Sequence, residues 1–167
     1  MDLVTGTQVA VGLTVPIPRQ RMWELITAVE RIGEWSPETT GAGWSDRGAT
    51  LEPGARFSGR NRFPNGFEST VTCVVTEAVR PAVFAWAVLD GAGQVGSAWR
   101  YELHAGSDPD STEVRHEFTH GPGFTGAREA AAADPRALAE RLVTLCRNMT
   151  TTIAEMTAAE LSMGATR

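Results

Sequence analysis

Residues 134–163 read DPRALAERLVTLCRNMTTTIAEMTAAELSM, and the reading of this stretch decides the fold. Leu138, Leu142, Leu145, Cys146, Met149, Ile153 and Met156 recur at helical spacing, so they share one face of an α-helix. The opposite side carries Arg136, Glu140, Arg141, Arg147 and Glu155. Asp134 followed by Pro135 supplies an N-cap and a proline in the first turn. A helix of this length runs roughly 40 Å at about 1.5 Å per residue. With a single apolar stripe it has to lie on another element, and the rest of the chain offers a sheet.

Outward from that helix, the pattern changes to short antiparallel strands. Residues 97–104 and 112–120 form the clearest hairpin. Trp99, Tyr101 and Leu103 alternate with Arg100, Glu102 and His104, and Val114, His116 and Phe118 alternate with Glu113, Arg115 and Glu117. Opposite charges prefer to face one another across a ladder. One register satisfies this, with Arg100 opposite Glu117 and Glu102 opposite Arg115. The same register sets Trp99 on Phe118, Tyr101 on His116 and Leu103 on Val114. Gln8–Val15 alternates as a first strand, and Pro16-Ile17-Pro18 ends it. Met22, Leu25, Ile26 and Val29 then predict a helix from Arg19, with Ile32 continuing into a second short helix that stops near Trp35. A glycine-containing stretch with Trp44 follows. Residues 55–63 predict a strand with Phe57, Gly59, Asn61 and Phe63 on one face and Arg56, Ser58, Arg60 and Arg62 on the other. Pro64-Asn65-Gly66 turns the chain into a strand over 68–78, whose two faces are equally plausible because a bulge would exchange them. Val83–Leu89 aligns Phe84, Trp86 and Val88, and 127–133 suits a short helix.

The chain has 167 residues, 42% hydrophobic and 21% charged, enough for one domain over 1–167 with its own core. A net charge of −5 disfavours nucleic-acid or anionic-membrane binding. No apolar run reaches the roughly 18 residues that span a bilayer. The start, Met1-Asp2, lacks the basic and apolar segments of a signal peptide, so a cytoplasmic protein without membrane insertion is expected. Cys73 and Cys146 read as buried thiols in a reducing compartment. Five tryptophans against one tyrosine suit a roomy apolar interior.

Four sets of residues resemble known sequences: Val15-Pro16-Ile17-Pro18 leading to Met22-Trp23-Glu24-Leu25-Ile26; Arg31-Ile32-Gly33-Glu34-Trp35-Ser36-Pro37-Glu38; Gly54-Ala55-Arg56-Phe57-Ser58-Gly59-Arg60-Asn61-Arg62; and Trp99-Arg100-Tyr101-Glu102-Leu103. With the element order, they resemble the START-like, or SRPBCC, superfamily, in its polyketide cyclase/dehydrase branch of actinobacterial type. The resemblance implies an α+β helix-grip fold: a curved antiparallel sheet wrapped around a long C-terminal helix, with two short helices after the first strand. It also implies a cavity between sheet and helix that takes a small hydrophobic ligand, polyketide-like, aromatic or lipid-like. In such a cavity the ligand-facing residues expected here are Trp35, Trp44, Phe57, Asn61, Phe84, Trp86, Trp99, Tyr101, His116, Phe118, Leu142, Cys146 and Met149. Its opening is expected at the loops after Trp35 and Gly121.

An enzymatic alternative uses the same cavity for a cyclase, aromatase or dehydratase, with His116, Tyr101 and Asn61 as acid–base and orienting groups. His116 and Asn61 each have a plain reading beside it. His116 can be a core histidine bonded to a hydroxyl or water, and the Asn61 amide can be bonded by Glu38, Ser36 or water. A third alternative is a protein-interaction module using Arg56, Arg60 and Arg62, a row that equally suits a solvated outer face. His116 and His120 lie about 13 Å apart along a strand, too far for one ion, so no metal is expected. No dinucleotide or phosphate-loop motif occurs, so no cofactor is expected. The ligand aside, a monomer or homodimer is expected.

Overall fold

The computed structural model describes residues 1–165. Seven antiparallel strands form one curved, unclosed sheet: β1 (Gln8–Val15), β2 (Thr39–Trp44), β3 (Arg56–Arg62), β4 (Glu68–Val79), β5 (Val83–Leu89), β6 (Val95–Ala105) and β7 (Thr112–His120). Their order across the sheet is β1-β7-β6-β5-β4-β3-β2, so the first and second strands form opposite edges. Between them lie α1 (Arg19–Thr27) and a 3-10 helix (Val29–Glu34). After the sheet come α2 (Gly126–Ala133) and the long α3 (Arg136–Ala165). This is the helix-grip arrangement that the sequence implied, with the two short helices after the first strand.

The β6–β7 register is the one that the charges select: Arg100 faces Glu117, Glu102 faces Arg115, and Trp99, Tyr101 and Leu103 face Phe118, His116 and Val114. The ion pairs close differently, however. Arg100 pairs with Glu102 and, across β5, with Glu77 on β4, while Arg115 pairs with Glu117 at 2.7 Å. Long side chains on one strand reach two residues along it as readily as straight across.

β2 was not legible as a strand, because Thr39-Thr40-Gly41-Ala42-Gly43-Trp44 is rich in glycine, which strands usually avoid. The 3-10 helix packs against this strand. A Cβ on Gly33 of the 3-10 helix would lie 2.3 Å from the Thr40 carbonyl oxygen, so that helix rests directly on the strand. The faces of β4 become clear through a bulge between Val75 and Glu77. Before it Cys73 and Val75 are buried, and after it Ala78 takes the inward position opposite Phe84. One extra residue thus exchanges the two faces within a single strand.

α3 covers the inner face of the sheet. Its buried residues divide between two apolar clusters. Ile153 and Met156 join the main core with Met22, Trp23, Leu25, Phe84, Tyr101 and Leu103. Leu145 and Met149 form a smaller cluster with Phe118, against which Val9, Trp99 and Leu142 pack. Asp134 Oδ1 accepts the Arg136 N–H at 3.0 Å, which caps the start of the helix. At the far end Arg21 on α1 clamps Glu160, with Nε to Oε1 at 2.6 Å. No helix among the described residues is long and apolar enough to cross a membrane.

Candidate functional site

The register lines up the inner-face side chains in rows across the sheet. One row runs Val75, Trp86, Trp99, Phe118 and Val9 over β4, β5, β6, β7 and β1. The next runs Ala78, Phe84, Tyr101, His116 and Val11. Alternation sets all of these side chains on the inner face, where Val9, Val11, Ala78, Trp86 and Trp99 are half-buried and the others buried. Rings therefore meet rings. Trp86 and Trp99 lie parallel, 4° between planes and 6.1 Å between centroids. Phe84 sits 5.2 Å from Trp86, and Phe118 meets Trp99 edge-on at 4.8 Å.

His116 stands at the centre of this wall. Its ring stacks on Tyr101 at 3.6 Å and 10°, with Trp99 at 5.5 Å and Trp86 at 6.1 Å. The residue is only 5% exposed, and neither ring nitrogen has a hydrogen-bond partner. No protein hydroxyl reaches either nitrogen among the described residues. Leaving a buried polar group unpaired costs about 1–3 kcal/mol. Burial also holds the imidazole neutral, its pKa depressed to about 3. Tyr101 is equally enclosed, and burial pushes its phenol well above the usual range. An imidazole this weakly basic takes a proton poorly near neutral pH, but it can still donate one hydrogen bond and accept another.

The remaining candidates separate by exposure. Trp35, Phe57, Phe84, Phe118 and Met149 are buried and serve as core. Trp44, Trp86, Trp99, Leu142 and Cys146 are only half-buried. For Trp86 and Trp99 that is unusual, because they stand on the two strands β5 and β6 and on the covered face. Both indoles keep accessible surface although they stand on the inward rows of β5 and β6. Two depressions on the protein lie elsewhere, one on the outer face at Gly12, Thr14, His104, Glu113 and Arg115, the other on the outward side of α3 at Ala139, Val143 and Arg147.

Asn61 is not a free amide. Thr39 Oγ1 donates to its Oδ1 at 3.0 Å, and its Nδ2 reaches Ser69 Oγ at 3.5 Å, so neighbouring strands satisfy it. The alternatives expected from the sequence go elsewhere: Ser36 Oγ accepts the Thr39 N–H at 3.0 Å, and Glu38 reaches across to α3. There Arg141 binds the Glu38 carboxylate with both nitrogens of its fork, Nη2 to Oε2 at 2.9 Å, and Asn148 Nδ2 donates to Oε1 at 3.0 Å. Arg141 also lies 5.6 Å over the Phe63 ring. The sequence reading set Arg141 on the solvent side of the helix. Its position beside Leu142 and Leu145, seven residues before Asn148, instead puts it on the flank of the apolar stripe. That i, i+7 pair was the signal.

His120 lies four residues beyond His116 on the same strand and bonds Thr7 Oγ1 through Nδ1 at 2.8 Å. Burial, then Arg128 and Arg141 nearby, lower its pKa. Arg128 ties the chain start to this end of the sheet, donating to Asp2 Oδ1 at 2.9 Å and to the Thr5 hydroxyl and Gly121 carbonyl at 2.8 Å each. No group of three or more His, Cys, Asp or Glu residues able to hold a metal ion occurs among the described residues.

Comparison with known proteins agrees with this architecture. A protein from Nitrosomonas europaea, NE0264, superposes with a TM-score of 0.66 at 18% identity, covering 95% of this chain and 96% of its own. The Polyketide_cyc-like protein Cgl2372 from Corynebacterium glutamicum gives 0.56 at 22% identity, over 91% and 87% of the two chains. The di-domain ARO/CYC StfQ from the steffimycin biosynthetic pathway gives 0.63 at 15% identity, over 94% of this chain and 51% of its own. At such identities these likenesses show the fold alone. None of the curated proteins compared with the chain matches it. The family described as polyketide cyclase / dehydrase and lipid transport matches residues 6–147, and the chain belongs to that family.

Proposed function

We propose that the protein binds a small, largely apolar ligand between the sheet and α3, against the wall of Trp86, Trp99, Tyr101 and His116. The observation that carries this reading is His116: a buried imidazole with both nitrogens unpartnered, next to two tryptophans that keep accessible surface on a covered face. A hydroxyl or carbonyl on a ligand would satisfy the imidazole, and a flat hydrocarbon skeleton would cover the rings. Leu142, which packs in the same cluster as Trp99, supports extending this reading along α3. The family description, with its mention of cyclases, dehydrases and lipid transport, is consistent with an apolar cargo.

Binding is better supported than acid–base turnover. Asn61 is occupied by Thr39 and Ser69, and a neutral imidazole with pKa about 3 beside a phenol with a raised pKa makes a weak base next to a weak acid. The test is equilibrium titration with N-phenyl-1-naphthylamine, a neutral aromatic amine whose emission rises in apolar surroundings. Energy transfer from tryptophan should saturate at one probe per chain in the wild type, and Trp86→Leu with Trp99→Leu should abolish it while the fold survives by circular dichroism. Absence of saturable binding to the wild type would overturn the proposal.

A further inference from the structure

His116 is only 5% exposed and both depressions on the protein lie on its outside, so a ligand reaches the imidazole only if part of the cover moves. Most of that enclosure is fixed by strand ladders. The boundary between α3 and the segment before β2 is different: among the described residues, no backbone hydrogen bond joins them. Side chains alone close it. Glu38 is held by Arg141 and Asn148, its side chain 15% exposed against 26% for Arg141, and Arg141 covers Phe63 at the β3–β4 turn.

Three consecutive threonines stand in α3 at the matching level. Thr150-Thr151-Thr152 falls between Met149, the last residue of the small cluster, and Ile153, the first in the main core. Two of these hydroxyls bond back along the helix, Thr150 to the Cys146 carbonyl at 2.9 Å and Thr152 to the Asn148 carbonyl at 2.8 Å. Such back-bonding competes with the helix ladder and favours bending, and β-branched residues are poorer helix formers than the alanines around them. Beyond this point Ile153, Met156 and the Arg21–Glu160 pair anchor the C-terminal half. Before it, the helix continues back into α2, which has no fully buried residue.

We infer that the N-terminal half of α3 is a gate: it swings about Thr150–Thr152 and is latched shut by Glu38 through Arg141 and Asn148. Opening separates Leu142, Leu145 and Met149 from Phe118 and Trp99 and exposes the inner face of the sheet. The ligand-admission part rests on the proposed binding site; the hinge and latch do not.

Two measurements on the full chain test it, with Glu38→Gln to release the latch and Thr150→Ala/Thr151→Ala to stiffen the hinge. Hydrogen exchange should show amides 140–149 opening at least tenfold more often than 153–160. Glu38→Gln should accelerate only the first group, and the double alanine variant should slow it. In stopped flow with N-phenyl-1-naphthylamine, Glu38→Gln should raise association and dissociation rates together at least fivefold, with less than a threefold change in Kd. Uniform protection along α3 that Glu38→Gln leaves unchanged overturns the gate. Unchanged probe kinetics despite faster exchange of 140–149 also overturns it. If no protein binds probe, the binding proposal fails by itself, and exchange still decides whether the helix is hinged.

Discussion

Replacing His116 with phenylalanine should make the protein more stable and a worse binder. The variant keeps a flat ring against Tyr101, now 3.6 Å away, and deletes two buried nitrogens that have no partner. Relief of that unpaired group is worth about 1–3 kcal/mol, and the slightly larger ring gives some of it back, so a net gain of about 1–2 kcal/mol is expected. In a chain of this size each kcal/mol moves Tm by roughly 2–4 °C. Affinity should move the opposite way. A lost neutral hydrogen bond to a ligand hydroxyl or carbonyl, about 0.5–1.5 kcal/mol, weakens binding of 1-naphthol by roughly two- to twelvefold. The pH profile adds a sign. Burial lowers the His116 pKa from 6.5 to about 3, so the unfolded chain takes up a proton that the folded chain refuses throughout that interval. Stability tied to this group is complete above pH 6.5 and is lost as pH falls toward 3, by up to about 1.4 kcal/mol per unit. Urea melts from pH 7.5 down to 4.5 should therefore show the gap between variant and wild type widening in acid. A less stable variant, or parallel profiles, would refute the reasoning, because either would mean that the imidazole is satisfied or solvated in the folded protein.

Three further outcomes follow from particular contacts. Ellman's reagent should modify native Cys146 well before Cys73, whose thiol is buried and pushed up to about 12, and saturating N-phenyl-1-naphthylamine should slow Cys146. Tyr101→Phe should leave Tm within about 2 °C of wild type, since the ring that packs on His116 and Trp86 is retained. Arg128→Ala should lower stability by about 2 kcal/mol in urea melts and speed amide exchange at residues 4–7, because it strips the bonds that hold Asp2, Thr5 and Gly121 together.

Much of this arrangement could be read from the chain because periodicity and charge pointed the same way. The β6–β7 register followed from four charged residues, and it carried Trp99, Tyr101, His116 and Phe118 to their shared face. The stripe of α3 identified Leu145, Met149, Ile153 and Met156 as buried. β2 stayed hidden because Gly41 and Gly43 interrupt the branched and aromatic run that a strand signal needs. The faces of β4 depended on one bulged residue, which no alternation rule contains. At the candidate site, the ring wall was legible, but the difference between filled and half-open positions was not, since Phe84 and Trp86 share a face and differ only in what lies above them. The Asn61 and Glu38 partnerships were also out of reach. Each links segments that only the folded sheet brings together, and a polar residue on an apolar face has the same pattern whether a neighbour or a ligand completes it.

The most direct test of the internal binding site is a side-chain chemical-shift map. The ring nitrogens of His116 and the indole N–H groups of Trp86 and Trp99 would be followed by NMR while 1-naphthol is added. Saturating shifts at all three residues, with one His116 nitrogen moving as it gains a hydrogen bond, are predicted. Shifts confined to the exterior depressions, around Gly12 and Arg115 on the sheet or Ala139 and Val143 on α3, would contradict the account.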